Sequence, residues 1–318
     1  MNYFIKKVWY SAILSIIIIV TAVTSTYAWY AMTYNNDIDE FDFTIGGTNS
    51  VLISADGKNF ATSLSSYQIK QSIISKRGID IEGLSESDLD KYMSEIKLDT
   101  ITPIDYTNLS LGFENITTNS TSKNYLSFDL YLTSDYVDTT GYGQAIYFTS
   151  NDIILAQNKN VNLNNYNINY HPVFGNINRV SMNIKDAMRI GISKSELVDI
   201  SNLDSSVLET TIYTPGTEEA SVTEDGVYSF GGINASPNVA LNSYNSLLGT
   251  NLTLPKNDRR DIEIDCNKII DETDGLVQDK MIKLTVYLWL EGWDADAFDI
   301  FKGSTFDFNL SFATYKSD

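Results

Sequence analysis

Histidine and cysteine are nearly missing from this chain, which carries one of each, His171 and Cys266. A lone cysteine excludes an intrachain disulfide. It sits in the alternating run of residues 262–266, where a small buried thiol fits better than a nucleophile. His171 has no Ser or Cys partner motif that would make it a base. Proline is scarce as well, with 5 residues against 20 Tyr and 14 Phe. With Ser, Thr and Asn filling much of the rest, that balance suits strands and turns rather than helices, and an all-β fold is expected. Basic residues are outnumbered, 22 Lys and Arg against 41 Asp and Glu, for a net charge of −19. Phosphate backbones would be repelled, which excludes nucleic acid from the expected partners. A hydrophobic content of 43% over 318 residues excludes a mainly disordered chain and can bury a sizeable core. No low-complexity tract marks a linker, so residues 29–318 are expected to fold as a single domain.

The long apolar run lies at the start. Lys6 and Lys7 precede an apolar stretch over residues 8–23, and a small or polar tail follows to Ala28. This is the anatomy of a signal peptide over residues 1–28, cut between Ala28 and Trp29 with Thr26 at the −3 position. Removal deletes both lysines and no acid, so the exported part is more acidic still. An uncleaved membrane anchor is the competing reading, because a spanning helix needs about 20 apolar residues. Either way, the membrane is met only through this N-terminal hydrophobic helix. The new terminus, residues 29–34 (WYAMTY), is too apolar to be left in water. It must fold back on its own domain or insert into a neighbour.

Elsewhere the pattern alternates, and the clearest case is the C-terminal end. Ile282, Leu284, Val286, Leu288 and Leu290 fall on one face of an extended chain, with Lys283, Thr285, Tyr287, Trp289 and Glu291 on the other. Phe306, Phe308, Leu310 and Phe312 repeat the rhythm after a loop. Two such faces predict sheets that share one core. The same period marks strands at Phe41, Phe43 and Ile45, at residues 51–54, at residues 125–133 (Leu126, Phe128, Leu130, Leu132), at 145–148 and at 207–213. A short edge strand is expected around residues 109–113. Val180, Met182 and Ile184, then Met188, Ile190 and Ile192, read as one bent or bulged strand. Residues 61–99 differ, with helical spacing over 67–76 and 85–96 and a capping-box pattern at Ser85 to Asp88. They are read as a helical insertion.

Four segments together resemble exported Firmicutes surface proteins of the TasA and camelysin group, which carry SipW-type signal peptides. They are residues 25–30 (STYAWY), 126–132 (LSFDLYL), 186–190 (DAMRI) and 288–296 (LWLEGWDAD) followed by a Phe-rich last strand. The resemblance implies a jelly-roll-like β-sandwich that is exported and, by analogy, assembles into fibres. The longer chain and the helical insertion depart from that group. The function expected is a secreted structural protein of the cell surface or extracellular matrix, a homo-oligomer or fibre whose other partner is signal peptidase during export. Strand addition is the assembly route expected, with Trp29, Tyr30, Met32 and Tyr34 completing the open edge of the next subunit.

Other chemistries are weighed on particular residues. Glu291, Asp294, Asp296 and Asp299 are hard oxygen ligands close in sequence that would suit Ca²⁺, without the spacing or the glycine of an EF-hand. The competing reading is an exposed acidic turn pinned by Trp293 and Phe298. Glu291 with Asp294 as a glycosidase pair would require carboxyls about 5–9 Å apart beside a sugar cleft. Tyr131, Tyr287 and Trp289 on the non-core face could stack sugars, making a carbohydrate-binding or adhesive module the alternative function, or could be cross-strand contacts beneath the insertion. No catalytic constellation is visible, and no enzyme activity is expected.

Overall fold

Residues 38–48, 50–115, 120–136, 144–148, 154–156, 159–162, 179–202, 206–213, 215, 221–222, 228–229, 258–259, 268–270, 276–292 and 304–315 are described by a computed structural model. The expected signal peptide and the segment 29–34 lie outside them. In chain order the elements are β1 (Ile38–Thr48), β2 (Val51–Ser54), β3 (Ser63–Leu64), α1 (Ser66–Lys76), α2 (Glu86–Ser94), β4 (Thr100–Pro103), β5 (Phe113–Asn115), β6 (Ser120–Ser122) and β7 (Leu126–Ser134). There follow β8 (Ala145–Phe148), β9 (Ile154–Ala156), β10 (Lys159–Asn162), β11 (Arg179–Met182), α3 (Ile184–Ala187), β12 (Met188–Ser195), β13 (Val198–Asp199) and β14 (Val207–Tyr213). The last are β15 (Ser221–Val222), β16 (Tyr228–Ser229), β17 (Asp258–Arg259), β18 (Lys268–Ile270), β19 (Lys280–Glu291) and β20 (Ser304–Tyr315). The protein is mostly β, as its composition requires.

Two mixed, curled sheets carry the core. One runs β18-β8-β20-β1-β3, with β9 also beside β20. In it the two ends of the described chain meet: β1 and β20 pair in parallel from Phe41↔Phe306 to Thr48↔Ala313. The other is centred on β19, which pairs β12 on one edge and β7 on the other, with β14 beyond β12 and β2 beyond β7. A smaller sheet joins β10, β11, β16 and β15. The chain passes from one large sheet to the other between β1 and β2. At Gly47 a Cβ would lie 2.7 Å from the Val51 carbonyl oxygen, so the corner can close only over a residue without a side chain.

The alternating faces meet as expected. Phe43 and Phe308 from one sheet pack edge-on against Phe128 of the other, with both Phe43–Phe128 and Phe128–Phe308 centroids 5.8 Å apart. Around them Leu126, Leu130, Leu284, Val286, Leu288, Ile190, Phe306, Leu310 and Phe312 are buried in one cluster. This packing is sandwich-like.

Within residues 61–99 the two helices form where the spacing places them. Ser65 and Ser85 each cap a helix in a reciprocal capping box, with Gln68 and Asp88 as third-position partners. Ile69, Ile73 and Ile74 of α1 and Leu89 and Met93 of α2 join the main core.

Two expectations are corrected. Residues 109–111 are a turn of 3₁₀-helix capped by the Asn108 side chain, and the strand starts only at Phe113. Asn108 offers the backbone a local hydrogen bond that competes with strand pairing. The run from Val180 to Ile192 is not one bent strand. β11 belongs to the small sheet, α3 is a single helical turn at which Ile184 and Ala187 are buried, and β12 belongs to the β19 sheet. Alternation on both sides of one turn cannot reveal that the chain has changed sheets. Among the described residues no helix is long and apolar enough to cross a membrane.

Candidate functional site

β19 is buried on both faces along its second half, although its composition reads as half-solvated. Ile282 to Leu290 in steps of two enter the main core. On the opposite face Tyr287 and Trp289 enter a second cluster with Ile101, Leu109, Phe113 and Ile212, against which Tyr106 and Tyr125 pack. The cover is the connection after α2, in which β4, the 3₁₀ turn, β5 and β6 fold over the outer face of the sheet. β4 pairs in parallel with the end of β19, Leu290↔Thr100 and Glu291↔Ile101, and the Gly292 N–H donates to the Ile101 carbonyl at 2.8 Å. β12 makes room for it at Gly191, opposite Tyr287, where a Cβ would lie 2.2 Å from Leu109 Cδ1 and 3.1 Å from Trp289 Cζ3.

The cluster encloses charge. Arg189 stands opposite Trp289 across β12 and β19 and is 1% exposed, with Nη1 donating to the Met188 carbonyl at 2.7 Å. Glu291 is 0% exposed; its Oε2 accepts from Trp289 Nε1 at 2.9 Å, and among the described residues Oε1 has no donor in good geometry. The hydroxyls of Thr102 and Tyr106, 2.9 Å from one another, lie beside this carboxyl. Burial pushes the Glu291 pKa up to about 7, against the Arg189 charge, the Trp289 hydrogen bond and the neighbouring Thr102 and Tyr106 hydroxyls, which favour the ionised form. Chemically this is a carboxyl able to hold a proton near neutrality. It is sealed from solutes while the chain is folded.

A second polar network joins α1 to the same sheet. Asp129 Oδ1 receives Lys76 Nζ at 2.8 Å and Thr285 Oγ1 at 2.7 Å, and Oδ2 meets Lys283 Nζ at 3.1 Å. Burial works against the Lys283 charge, but Asp129 and Tyr131 outweigh it and hold its pKa above the ordinary lysine value. Lys76 Nζ also lies 5.8 Å from the Tyr287 ring centroid, and burial pushes the Tyr287 pKa up to about 12.

Of the residues singled out from sequence, Glu291 falls inside the second core, while Asp294, Asp296 and Asp299 lie outside the described residues, as do Ala28, Trp29, Tyr30, Met32 and Tyr34. Among the described residues no group of three or more His, Cys, Asp or Glu side chains gathers as metal ligands. The aromatic platform is not solvent-facing. Tyr131, Tyr287 and Trp289 are all buried, the last two among Phe113, Tyr125 and Leu109. Sequence reasoning missed Arg189, Thr102 and Tyr106. The available signal was an arginine inside the apolar run Met188-Arg189-Ile190, whose charge requires a buried partner. No protein-family model, curated protein or solved structure matches this chain.

Proposed function

We propose that this chain is a non-enzymatic structural protein of the cell surface or extracellular matrix, exported by its N-terminal signal, cut after Ala28 and built as a jelly-roll-like sandwich. Copies assemble by strand addition: residues 29–34 of one subunit lie along an open sheet edge of the next, with Trp29, Tyr30 and Met32 supplying the side-chain fit. The observation that carries this reading is the edge of β1. Among the described residues β3 pairs its far side only at Ile45 and Gly46, with one further bond from the Gly47 N–H to the Thr62 carbonyl at 2.7 Å, while β20 engages its other side from Glu40 to Thr48. An unpaired strand edge is a template for another chain. The chemistry of the site agrees with a structural role, because the titratable groups it gathers are enclosed rather than presented. The buried state of Tyr287 and Trp289 weakens the carbohydrate-binding alternative, which drew on them as a stacking surface.

Deleting residues 29–34 from the mature chain and imaging assembly by electron microscopy tests the proposal. Loss of polymers with an unchanged circular dichroism spectrum is expected. Polymers that persist in number and form remove this segment from the mechanism.

A further inference from the structure

A sheet edge can be closed by a strand or by side chains that imitate one. The edge of β7 away from β19 is closed by both in succession. β2 pairs it over Val51↔Ser134 to Ser54↔Tyr131 and then ends. Over the next turn of chain, Asp129 directs its N–H to Ser72 Oγ at 3.1 Å, and Arg77 Nη2 donates to the carbonyls of Tyr125 at 2.6 Å and Lys123 at 2.8 Å. These bonds show which way the backbone faces. The N–H of residue 129 and the C=O of residue 125 point away from β19, so by the two-residue period those of Ser127 do too. Lys76 completes the contact on the Asp129 carboxylate. Ser72 and Lys76 stand one helical turn apart on α1, and Arg77 caps its end, so one end of the helix meets the stretch at both its limits, Asp129 and Tyr125. The helix is itself anchored: Ile69, Ile73 and Ile74 are buried, Tyr67 donates to the Leu84 carbonyl at 3.3 Å, and Lys70 pairs with Asp90 of α2 at 2.7 Å.

We propose that α1 is an edge seal, which closes residues 125–129 against a second copy of this chain. The seal does not rest on the strand-addition reading above. The partner excluded is another copy presenting the same bared edge, because two such edges can pair about a twofold axis with no other segment required.

The test uses the mature chain lacking residues 29–34, so that the proposed assembly segment takes no part. In that background Ser72→Ala with Arg77→Ala frees the Asp129 N–H and the Tyr125 carbonyl for another strand, and light scattering should report a doubling of mass from monomer to dimer. Adding Ser127→Pro should return it to monomer. That proline removes an N–H pointing away from β19 and leaves the β7–β19 ladder intact. A double variant that keeps its circular dichroism spectrum and stays monomeric overturns the seal, whatever the deletion alone does to fibres. Amide exchange on the unaltered chain covers the case in which the double variant fails to fold. The Asp129 amide should exchange as slowly as its β7 neighbours, and exchange at the rate of an open loop overturns the proposal.

Discussion

An alanine at position 191 should be costly for a reason confined to two neighbours. Its methyl would lie 2.2 Å from Leu109 Cδ1 and 3.1 Å from Trp289 Cζ3, well inside contact distance. Overpacking of this kind costs about 1–3 kcal/mol. It is partly offset by the roughly 0.5–1 kcal/mol that alanine gains over glycine within a strand. A net loss of about 1–2 kcal/mol is expected. Leu109→Ala alone empties a site that is 1% exposed and should cost about 2–5 kcal/mol. In the double variant the methyl at 191 enters the space that Leu109 leaves, so the combined loss should fall short of the sum by about 1–2 kcal/mol, within the range for contacting residues. Urea midpoints at constant m read all three variants. Losses that add to within about 0.5 kcal/mol would mean that the connection over residues 100–115 does not lie against β12 as described.

Two further predictions follow from the buried charges. Glu291 has a folded pKa of about 7 against an ordinary 4.5, so the folded state holds its proton more tightly. The stability this gives is complete below about pH 4.5, declines as pH rises to about 7 and is gone above it, up to about 3 kcal/mol in total. Glu291→Gln keeps an acceptor for Trp289 and cannot titrate; its urea midpoint should fall less between pH 5 and pH 8 than that of the unaltered chain, and equal falls would refute the assignment. Asp129→Ala leaves Lys76 and Lys283 without their shared carboxylate, which is 15% exposed. A loss of about 2 kcal/mol, between surface and buried ion pairs, should appear in thermal or urea unfolding, and less than about 0.5 kcal/mol would reduce the network to a surface contact.

Much of the frame is legible from spacing alone because period two and period 3.6 are local properties. The face shared by Ile282, Leu284 and Val286 is the core face, and Leu89 and Met93 lie on the buried stripe of α2. What spacing cannot convey is what covers the other face. Lys283, Thr285, Tyr287, Trp289 and Glu291 read as the wetter side of β19, yet from residue 287 onward that side lies under a segment more than 160 positions earlier in the chain. The same limit applied to Arg189, whose position in an apolar run announced burial of its charge without revealing that Glu291 lies within its influence. It applied again at Ser72 and Arg77, where helix periodicity gives the stripe but not the strand edge it seals. For Asp294, Asp296 and Asp299, outside the described residues, the calcium expectation stands only on their clustering in sequence.

Two segments far apart in sequence, residues 186–190 and 288–291, prove to be neighbours. Arg189 of the first stands opposite Trp289 of the second in the β12–β19 ladder, and the Trp289 indole holds the Glu291 carboxyl. The Arg189 charge favours the ionised form of that carboxyl, and burial, which favours the protonated form, outweighs it. The enclosed charge thus lies where the sheet is covered on both sides at its centre, so these residues contribute packing rather than a solvent-facing site. The strand edges differ from this centre: among the described residues β3 pairs β1 only at Ile45 and Gly46, whereas Ser72 of α1 and Arg77 at its end bond Asp129 and Tyr125 at the β7 edge.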